Sequence, residues 1–412
     1  MIRALLPLLL LPACTGGETE GVPRTLIDSS GDVGPVVVGT NAFTFDVYGE
    51  AVEGTDANTF VSPFSLSAAL SMTMAGASGD TLAEMQQVLG ADDPATWHSG
   101  FGSLIRDLDG DFGRSYQLEI ANRLFGAPDY PWSEAFLGIC SDDYGAPLEP
   151  TDFASDPEAG RKRVNDWVAE QTNDRILDLM PPGSVSASTV LVLANAIYFL
   201  ADWATPFDPE DTNESGTFTR LDGTTVTAPI MRLETKELKD DGLSLGFIDG
   251  GTVVRLPYGG DEVSMVLVVP DAVDGLPALE QGLTDAVFDD WLTTLGSPGA
   301  DVSLMMPRFE MEYTLDAIPL LTELGMGSLF ASADLSAMTD PPGNGLFVSG
   351  VFHKAFVKVD EKGTEAAAAS AVAVDESAPP FIDATHPFLF AILDDLTGTA
   401  LFVGRVMDPA AG

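Results

Sequence analysis

The chain has 412 residues, 45% of them hydrophobic, which is enough apolar material for a large folded core. Its charge is lopsided, because 63 acidic side chains face only 19 basic ones and the formal net charge is −44. Phosphate recognition needs clustered Lys and Arg, so this balance argues against nucleic acid as a partner.

The acidity itself has two explanations, and the sequence leaves both open. One is adaptation to salty surroundings, where screening relieves self-repulsion. The other is calcium binding by Asp107-Leu-Asp109-Gly-Asp111, which alternates Asp as a calcium loop does. That stretch lacks Gly after its third Asp and has Leu118 where a calcium loop carries Glu. We therefore predict neither a metal site nor a cofactor.

The N-terminus is typical of a secretion signal. A short basic start precedes an apolar stretch over residues 4–11 that is far too short to span a bilayer. The sequence Leu-Pro-Ala-Cys that ends at Cys14 resembles a bacterial lipobox. We expect residues 1–13 to be a lipoprotein-type signal peptide and Cys14 to be lipidated. An ordinary signal peptide with an incidental Cys is the alternative.

The residues after the signal predict a tether followed by one large domain. Residues 14–36 are rich in Gly, Thr, Glu and Ser, which favours a flexible acidic tether. No repeat or Pro/Ser-rich linker divides residues 37–412, so we expect a single domain there. The protein is then secreted and lipid-anchored at the bacterial cell envelope or outer surface, with membrane contact only through the lipid. Cys140 is the other Cys of the chain, which leaves no internal disulfide in the mature protein.

Helical signals dominate the first half of the chain and strand signals the second. Ser62 and Pro63 suit the cap and first position of a helix, and a second helix is predicted from Ser155 to about Thr172. The apolar run Thr189–Leu200 favours a strand buried on both faces, with a buried helix as the alternative. These patterns predict an α+β protein with large mixed sheets. Further strands are predicted at 252–256, 263–269, 302–306, 347–359, 388–393 and 400–406.

The sequence lacks the common catalytic motifs, which gives little support to the hypothesis that the protein is an enzyme. The sequence has no Gly-x-Ser-x-Gly elbow, no zinc signature and no nucleotide-binding glycine fingerprint. It contains 3 His, namely His98, His353 and His386. A Ser-His-Asp triad can occur at any spacing, so these absences weaken the enzyme hypothesis without excluding it.

The most informative segment is residues 360–380, with the sequence DEKGTEAAAASAVAVDESAPP. As a strand it alternates, and one face is free of charge while the other carries both Glu365 and Asp375. Such a strand can slide between two others, burying the uncharged face and leaving the second face in water. Four successive Ala also favour a helix or a linker, which is the alternative. The uncharged face would carry Thr364, Ala366, Ala368, Ser370, Val372 and Val374.

This segment resembles the hinge of the serpin family, and other motifs occur in the family's order. The hinge is Glu361, Gly363, Thr364, Glu365, Ala366, Ala367, Ala368, Ala369 and Ser370. Collinear with it are Asn58 to Leu66, Val164 to Val168, Leu193 to Phe199, His386 to Phe390 and Gly398 to Pro409. The resemblance covers about Asn41 to Pro409.

The resemblance implies a fold of three β-sheets and eight or nine α-helices with an exposed reactive loop at about 361–382. It implies a monomer that inhibits a serine or cysteine peptidase as a suicide substrate. The peptidase cleaves the loop, forms an acyl-enzyme, and is trapped when the loop inserts into the main sheet. The alternative is a non-inhibitory serpin that binds or carries another molecule, although the small hinge residues argue against it.

Single roles follow from the same resemblance. Ser62, Ser65, Asn195 and His353 match the shutter, where the main sheet opens. Trp203, Arg308 and Glu361 match the breach, where insertion begins, and an Arg308–Glu361 ion pair is expected.

The scissile bond has two candidate positions. Counting forward from the hinge gives Ser377–Ala378, and counting back from His386 gives Glu376–Ser377. We prefer Glu376–Ser377, because Ser commonly follows the cut in this family and because Glu376 would be the first charge on the buried face. A cut after Glu predicts a target peptidase that prefers acidic residues.

Overall fold

The computed structural model describes residues 33–108, 116–235, 243–299, 301–343, 345–348, 350–364 and 379–411. Its α-helices are α1 Gly34–Val52, α2 Pro63–Met74, α3 Gly79–Leu89, α4 Pro94–Leu108, α5 Glu134–Tyr144, α6 Pro157–Gln171, α7 Leu276–Glu280, α8 Asp285–Thr293, α9 Ala317–Glu323 and α10 Gly327–Ala331. None of the helices in these ranges combines the length and apolarity needed to cross a bilayer.

The strands complete a mixed α+β architecture, as predicted. They are β1 Thr59–Val61, β2 Gln117–Gly126, β3 Leu148–Pro150, β4 Leu191–Asp202, β5 Asn213–Thr219, β6 Thr225–Thr235, β7 Ser244–Ile248, β8 Gly251–Pro257, β9 Val263–Pro270, β10 Val302–Pro307, β11 Phe309–Asp316, β12 Phe352–Val359, β13 Gly363–Thr364, β14 Phe381–Asp383, β15 Phe388–Asp394 and β16 Thr399–Val406.

Local sequence explains where the elements that hold the site begin. The Ser62 side chain accepts a hydrogen bond from the Ser65 backbone N–H, with Pro63 in the first turn of α2. Asp156 caps α6 in the same way, through the Ala159 N–H. The apolar run predicted as a strand forms β4, because β2 pairs with it along its length and both of its faces are covered.

The strands form four hydrogen-bonded sheets within the described ranges. Their orders are β1-β16-β15-β9-β8-β7, β14-β10-β6-β5, β11-β12 and β13-β4-β2-β3. The expected three sheets become four because no ladder of hydrogen bonds joins β4 to β12 there. The described helices number ten rather than eight or nine, since α7 and α10 are separate five-residue helices.

Two predicted boundaries are corrected. Helix α1 begins at Gly34, with Pro35 in its first turn and Val36 buried, so residues 34–36 belong to the helix rather than to the tether. Strand β12 begins at Phe352, not at 347. A Cβ at Gly350 would lie only 2.5 Å from a carbon of the Phe352 ring, so the chain is crowded just before the strand starts.

Candidate functional site

The candidate site is the opening between β4 and β12. The two strands lie side by side, with Cα atoms within 8 Å of one another. Strand β4 is paired on its other side with β2, and β12 is paired on its other side with β11. Apart from Ala201 and Asp202, which pair with β13, the facing edges of β4 and β12 carry backbone groups that no strand-to-strand ladder uses within the described part of the chain.

The chain turns back into this opening immediately after β12. Asp360 and Gly363 exchange two backbone hydrogen bonds, and β13 then runs antiparallel to β4, with Gly363 opposite Asp202 and Thr364 opposite Ala201. Gly363 has a φ of +143°, and a Cβ there would lie 2.3 Å from the Ala201 carbonyl oxygen. Only Gly fits so close a backbone approach, which explains its place in the hinge.

The predicted shutter residues meet at the base of the opening. The Ser65 hydroxyl donates to the Asn195 side-chain oxygen, and the Ser62 hydroxyl donates to the Leu401 carbonyl oxygen at 2.7 Å. His353 Nε2 accepts the Ser62 backbone N–H at 3.1 Å. All four shutter residues are at most 8% exposed, so breaking these bonds leaves desolvated polar groups unpaired.

Sequence reasoning missed Asn122, which extends this network. The Asn195 side-chain amide donates to Asn122 Oδ1 at 2.7 Å, and the Asn122 amide donates to the Tyr144 carbonyl oxygen at 3.1 Å. Asn122 lies directly opposite Asn195 in the β2–β4 ladder. The sequence of each strand alone does not determine how the two strands pair, so no local sequence signal could have predicted the contact between Asn122 and Asn195.

Burial keeps the His353 imidazole neutral, since desolvation lowers its pKa to about 4 from an ordinary value near 6.5. The unfolded chain takes up a proton as the pH falls below about 6.5, whereas the folded chain does not. The contribution of His353 to the free energy of unfolding is therefore greatest above pH 6.5, and it decreases as the pH falls from 6.5 to about 4. The shift corresponds to a loss of up to about 3 kcal/mol.

We expect His353→Gln to flatten the pH dependence of stability in that window, because Gln can accept the Ser62 N–H without titrating. The measurement is the urea unfolding midpoint at pH 7.5, 6, 5 and 4.5. His98 is the matched control, since burial lowers its pKa to about 4 as well and it lies away from the opening, hydrogen-bonded to Tyr144. If His353→Gln keeps the wild-type pH profile, His353 is not the group that titrates.

The predicted breach residues meet at the other end of the opening. Arg308 forms an ion pair with Glu361, and its Nε lies 3.2 Å from Glu361 Oε2. Trp203 Nε1 donates to the Asp360 carbonyl oxygen at 3.0 Å, and the Trp203 ring stacks on Tyr258 with centroids 4.4 Å apart. The turn that starts the loop is thus fixed to the end of β4.

Two further residues share this end, and the sequence did not suggest them. The Thr212 hydroxyl donates to Glu361 Oε1 at 2.7 Å, and Glu214 lies 3.2 Å from the Arg308 guanidinium. Hydrogen bonds from Arg308 and Thr212 outweigh desolvation and lower the pKa of Glu361. The carboxylate therefore stays charged and bound to Arg308 at neutral pH.

Helix α6 covers the outer face of β4, the strand beside which the loop is expected to insert. Val192, Ala194 and Ala196 form a separate hydrophobic cluster with α6 residues Val164 and Trp167. The segment after α6 reaches β12, since the Arg175 guanidinium lies 5.7 Å from the centre of the Phe356 ring. Along the stretch that α6 covers, both faces of β4 are therefore packed against other residues.

A mostly apolar cavity of about 250 Å³ extends the opening at its shutter end. Leu191, Leu193 and Asn195 of β4 line one wall, and Phe352 and His353 of β12 line another. It lies on the path of a strand inserted between β4 and β12.

Several predicted site residues lie outside the described residues. They are Cys14, Glu365, Ala366, Ala367, Ala368, Ala369, Ser370, Glu376, Ser377 and Ala378. The calcium candidates Asp109 and Asp111 lie outside them as well.

Comparison with known proteins decides the family. The profile of the family described as Serpin (serine protease inhibitor) matches residues 38–409. The chain belongs to the serpin family. The leukocyte elastase inhibitor of Sus scrofa is 38% identical over 382 residues, which cover 89% of this chain and 97% of that protein. The serpin fold predicted from the sequence is confirmed.

Solved serpin structures include proteins of more than one kind. An Arabidopsis serpin in its native stressed conformation is 31% identical, with a TM-score of 0.78 over 92% of this chain and 99% of that one. Human thyroxine-binding globulin is 29% identical, with a TM-score of 0.80 over 92% of this chain and 99% of its own. Because a hormone-binding protein shares the fold, the fold alone does not establish inhibition.

Proposed function

We propose that this serpin inhibits a serine or cysteine peptidase by suicide-substrate trapping, in which its reactive loop is cut and then inserts between β4 and β12. The observation that carries the proposal is the β13–β4 pair. Its two residues already occupy the start of the opening, and they run antiparallel to β4 in the direction an inserted strand needs. Unpaired edges on both sides would accept such a strand.

The β13–β4 register fixes where each loop residue would go if the ladder continued. Thr364 faces Ala201, so the next partners follow one by one in antiparallel order. Ala368 would face Ile197, Ser370 would face Asn195, and Val374 would face Leu191.

This register places the uncharged face of the loop against the main core. Ile197, Phe199 and Ala201 belong to the large hydrophobic core, and Leu193 packs against it. Their loop partners are even-numbered residues, which carry no charge up to Val374. Val372 and Val374 would enter the cavity lined by Leu193 and Leu191, which an apolar side chain fills without leaving a void.

The other face of the loop would lie beneath α6. Ala369, Ala371 and Ala373 would face Ala196, Ala194 and Val192, the three β4 residues in the α6 cluster. Alanine suits that space because a larger side chain would overpack it. Glu365 and Asp375 would come to lie beyond both ends of the covered stretch, which accounts for the position of both charges.

The energetics favour insertion. Eleven loop residues from Thr364 to Val374 would extend about 35 Å along β4. About ten new ladder hydrogen bonds at roughly 1 kcal/mol each would stabilise the inserted form. The uncut form is then a kinetic trap, held by the shutter and breach contacts.

We place the scissile bond at Glu376–Ser377, with Ser377–Ala378 as the second choice. Insertion as far as Val374 leaves Asp375 and Glu376 outside the sheet, so no loop charge is buried. A carboxylate before the cut favours a peptidase with a basic specificity pocket and disfavours trypsin-like enzymes, whose pocket carries Asp.

The test is a panel of serine and cysteine peptidases that includes Glu- and Asp-specific enzymes, incubated with the full chain in moderate salt. Denaturing gels and intact mass should reveal a denaturant-stable complex and a C-terminal fragment that begins at Ser377. Clean cleavage of the loop by every peptidase, with no complex and no gain in thermal stability, would refute trapping. It would leave a non-inhibitory binding role.

We also propose that the mature serpin is held at the outside of a bacterial cell envelope by lipid on Cys14. The basic start, the short apolar stretch and the lipobox-like Leu-Pro-Ala-Cys support this. Cys14→Ser should move the protein from the membrane fraction to the soluble fraction and abolish incorporation of a labelled fatty acid. Equal partitioning of both forms would disprove the anchor.

A further inference from the structure

Phe381 is an exposed aromatic side chain at the point where the chain leaves the reactive loop. It begins β14, which pairs in parallel with β10 so that Phe381 lies opposite Ser303. The next residue, Ile382, is 4% exposed and points into the core, whereas Phe381 is 57% exposed. Alternation along the strand therefore turns Phe381 to the outer face of the sheet.

Exposure alone does not single out Phe381, because isolated apolar side chains are common on protein surfaces. Its position does. Phe381 lies four positions after Ser377 in the sequence, so their Cα atoms are at most about 14 Å apart. An interface of standard size covers about 800 Å² on each partner, which is a disc of radius about 16 Å. A peptidase centred on either candidate bond would cover Phe381.

We propose that Phe381 is a specificity-determining contact for the target peptidase, which receives the ring in an apolar depression on the side that binds residues after the cut. This inference rests on the proposed cleavage of the loop. Buried aromatic side chains contribute a large share of the binding energy at protein interfaces, and a ring presented on a paired strand loses little conformational freedom on binding.

The surroundings of Phe381 indicate the chemistry of the partner's depression. Ser303 and Met305 lie beside it on the same face of the sheet, and their partners on the next strand are Glu234 and Arg232. Those two charges form an ion pair with each other at 2.5 Å. This pair therefore adds no uncompensated charge beside the ring. Asp383 lies on the same face, and its carboxylate accepts hydrogen bonds from the Thr385 N–H and hydroxyl. An apolar depression with a polar rim that includes a donor for Asp383 is the complement of this face.

A second copy of the chain is a weaker candidate for the same face. Strand β14 is an edge strand of three residues, and Pro379 and Pro380, which have no N–H to donate, precede it. A short edge preceded by proline resists pairing with another strand.

The experiment compares Phe381→Ser with Phe247→Ser. Phe247 is 67% exposed and lies on β7, the edge strand of a different sheet, so the same change is made at an equally exposed ring. The probe is the panel peptidase that cuts the loop fastest, with its catalytic Ser replaced by Ala so that only the non-covalent complex forms. We expect Phe381→Ser to raise its Kd at least about tenfold, Phe381→Leu to raise it less, and Phe247→Ser to change it less than about twofold.

Equal Kd values for wild type and Phe381→Ser would overturn the proposal, as would equal losses at Phe381 and Phe247. A dimer that sedimentation detects in the wild type and not in Phe381→Ser would also overturn it, in favour of a second copy. The inactive peptidase measures docking and so tests the Phe381 contact, whereas the active peptidase measures trapping and so tests the inhibitor mechanism. The two hypotheses can therefore fail separately. Loss of trapping with a Phe381-dependent Kd would refute the inhibitor mechanism alone.

Discussion

Replacing Ala368 with Glu should convert the serpin from an inhibitor into a substrate of its target peptidase. If the register of the β13–β4 pair continues on insertion, residue 368 would face Ile197, which is 2% exposed in the main core. An unpaired carboxylate buried there costs several kcal/mol. If about 3 kcal/mol of that cost is felt in the insertion step, insertion slows about 100-fold and hydrolysis of the acyl-enzyme overtakes it.

The measurement is the stoichiometry of inhibition, the number of serpin molecules consumed for each peptidase molecule trapped. It should rise from near one to more than about ten for Ala368→Glu, while kcat/KM for loop cleavage stays within about twofold. Glu365→Lys is the control, because it changes a loop charge that should come to rest opposite Leu200, outside the α6 cluster. A stoichiometry near one for Ala368→Glu would show that the loop does not insert in this register.

Ala369→Glu separates two descriptions of the inserted loop. If the second face of the strand were open to water, as its sequence suggests, the new carboxylate would cost little. If the β13–β4 register continues, residue 369 would lie opposite Ala196, which is buried beneath α6. We therefore expect Ala369→Glu to raise the stoichiometry as much as Ala368→Glu does. A stoichiometry near one for Ala369→Glu would show that α6 does not cover this face of the inserted loop.

The sequence predicted what depends on local chemistry. Ser62 and Pro63 marked the start of α2, and a β-rich apolar run marked β4. The small residues after Gly363 predict a segment that can insert, and this stays a prediction. Each signal lies within about a dozen residues, where capping, periodicity and side-chain size act directly.

What the sequence could not predict depends on pairing between distant segments. Asn122 meets Asn195 only through the β2–β4 register, and Glu214 meets Arg308 only because β5 and β10 both pair with β6. Helix α6 packs across β4, and nothing in the loop's composition encodes a helix over the strand beside which the loop is proposed to insert. Such contacts are set by topology and not by the segment's own pattern.

The largest loss of stability from a single polar substitution should come from Arg405→Met. Arg405 on β16 forms an ion pair at 2.9 Å with Glu280 at the end of α7, and the two side chains are only 3% and 8% exposed. The Tyr48 hydroxyl donates to the other Glu280 oxygen at 2.6 Å. Arg405 also donates to the carbonyl oxygens of Thr55 and Ala57. Removing Arg405 leaves a buried carboxylate and these two carbonyl oxygens without this donor.

We expect Arg405→Met to lower the free energy of unfolding by about 3 to 5 kcal/mol, measured by urea denaturation at pH 7. Arg232→Met is the matched control, since its ion pair with Glu234 is nearly half exposed and should contribute at most about 1 kcal/mol. The double variant Arg405→Met with Glu280→Leu should recover much of the loss, because no buried charge then lacks a partner. A double variant as unstable as Arg405→Met would show that the lost bonds to Thr55 and Ala57, and not the stranded carboxylate, carry the effect.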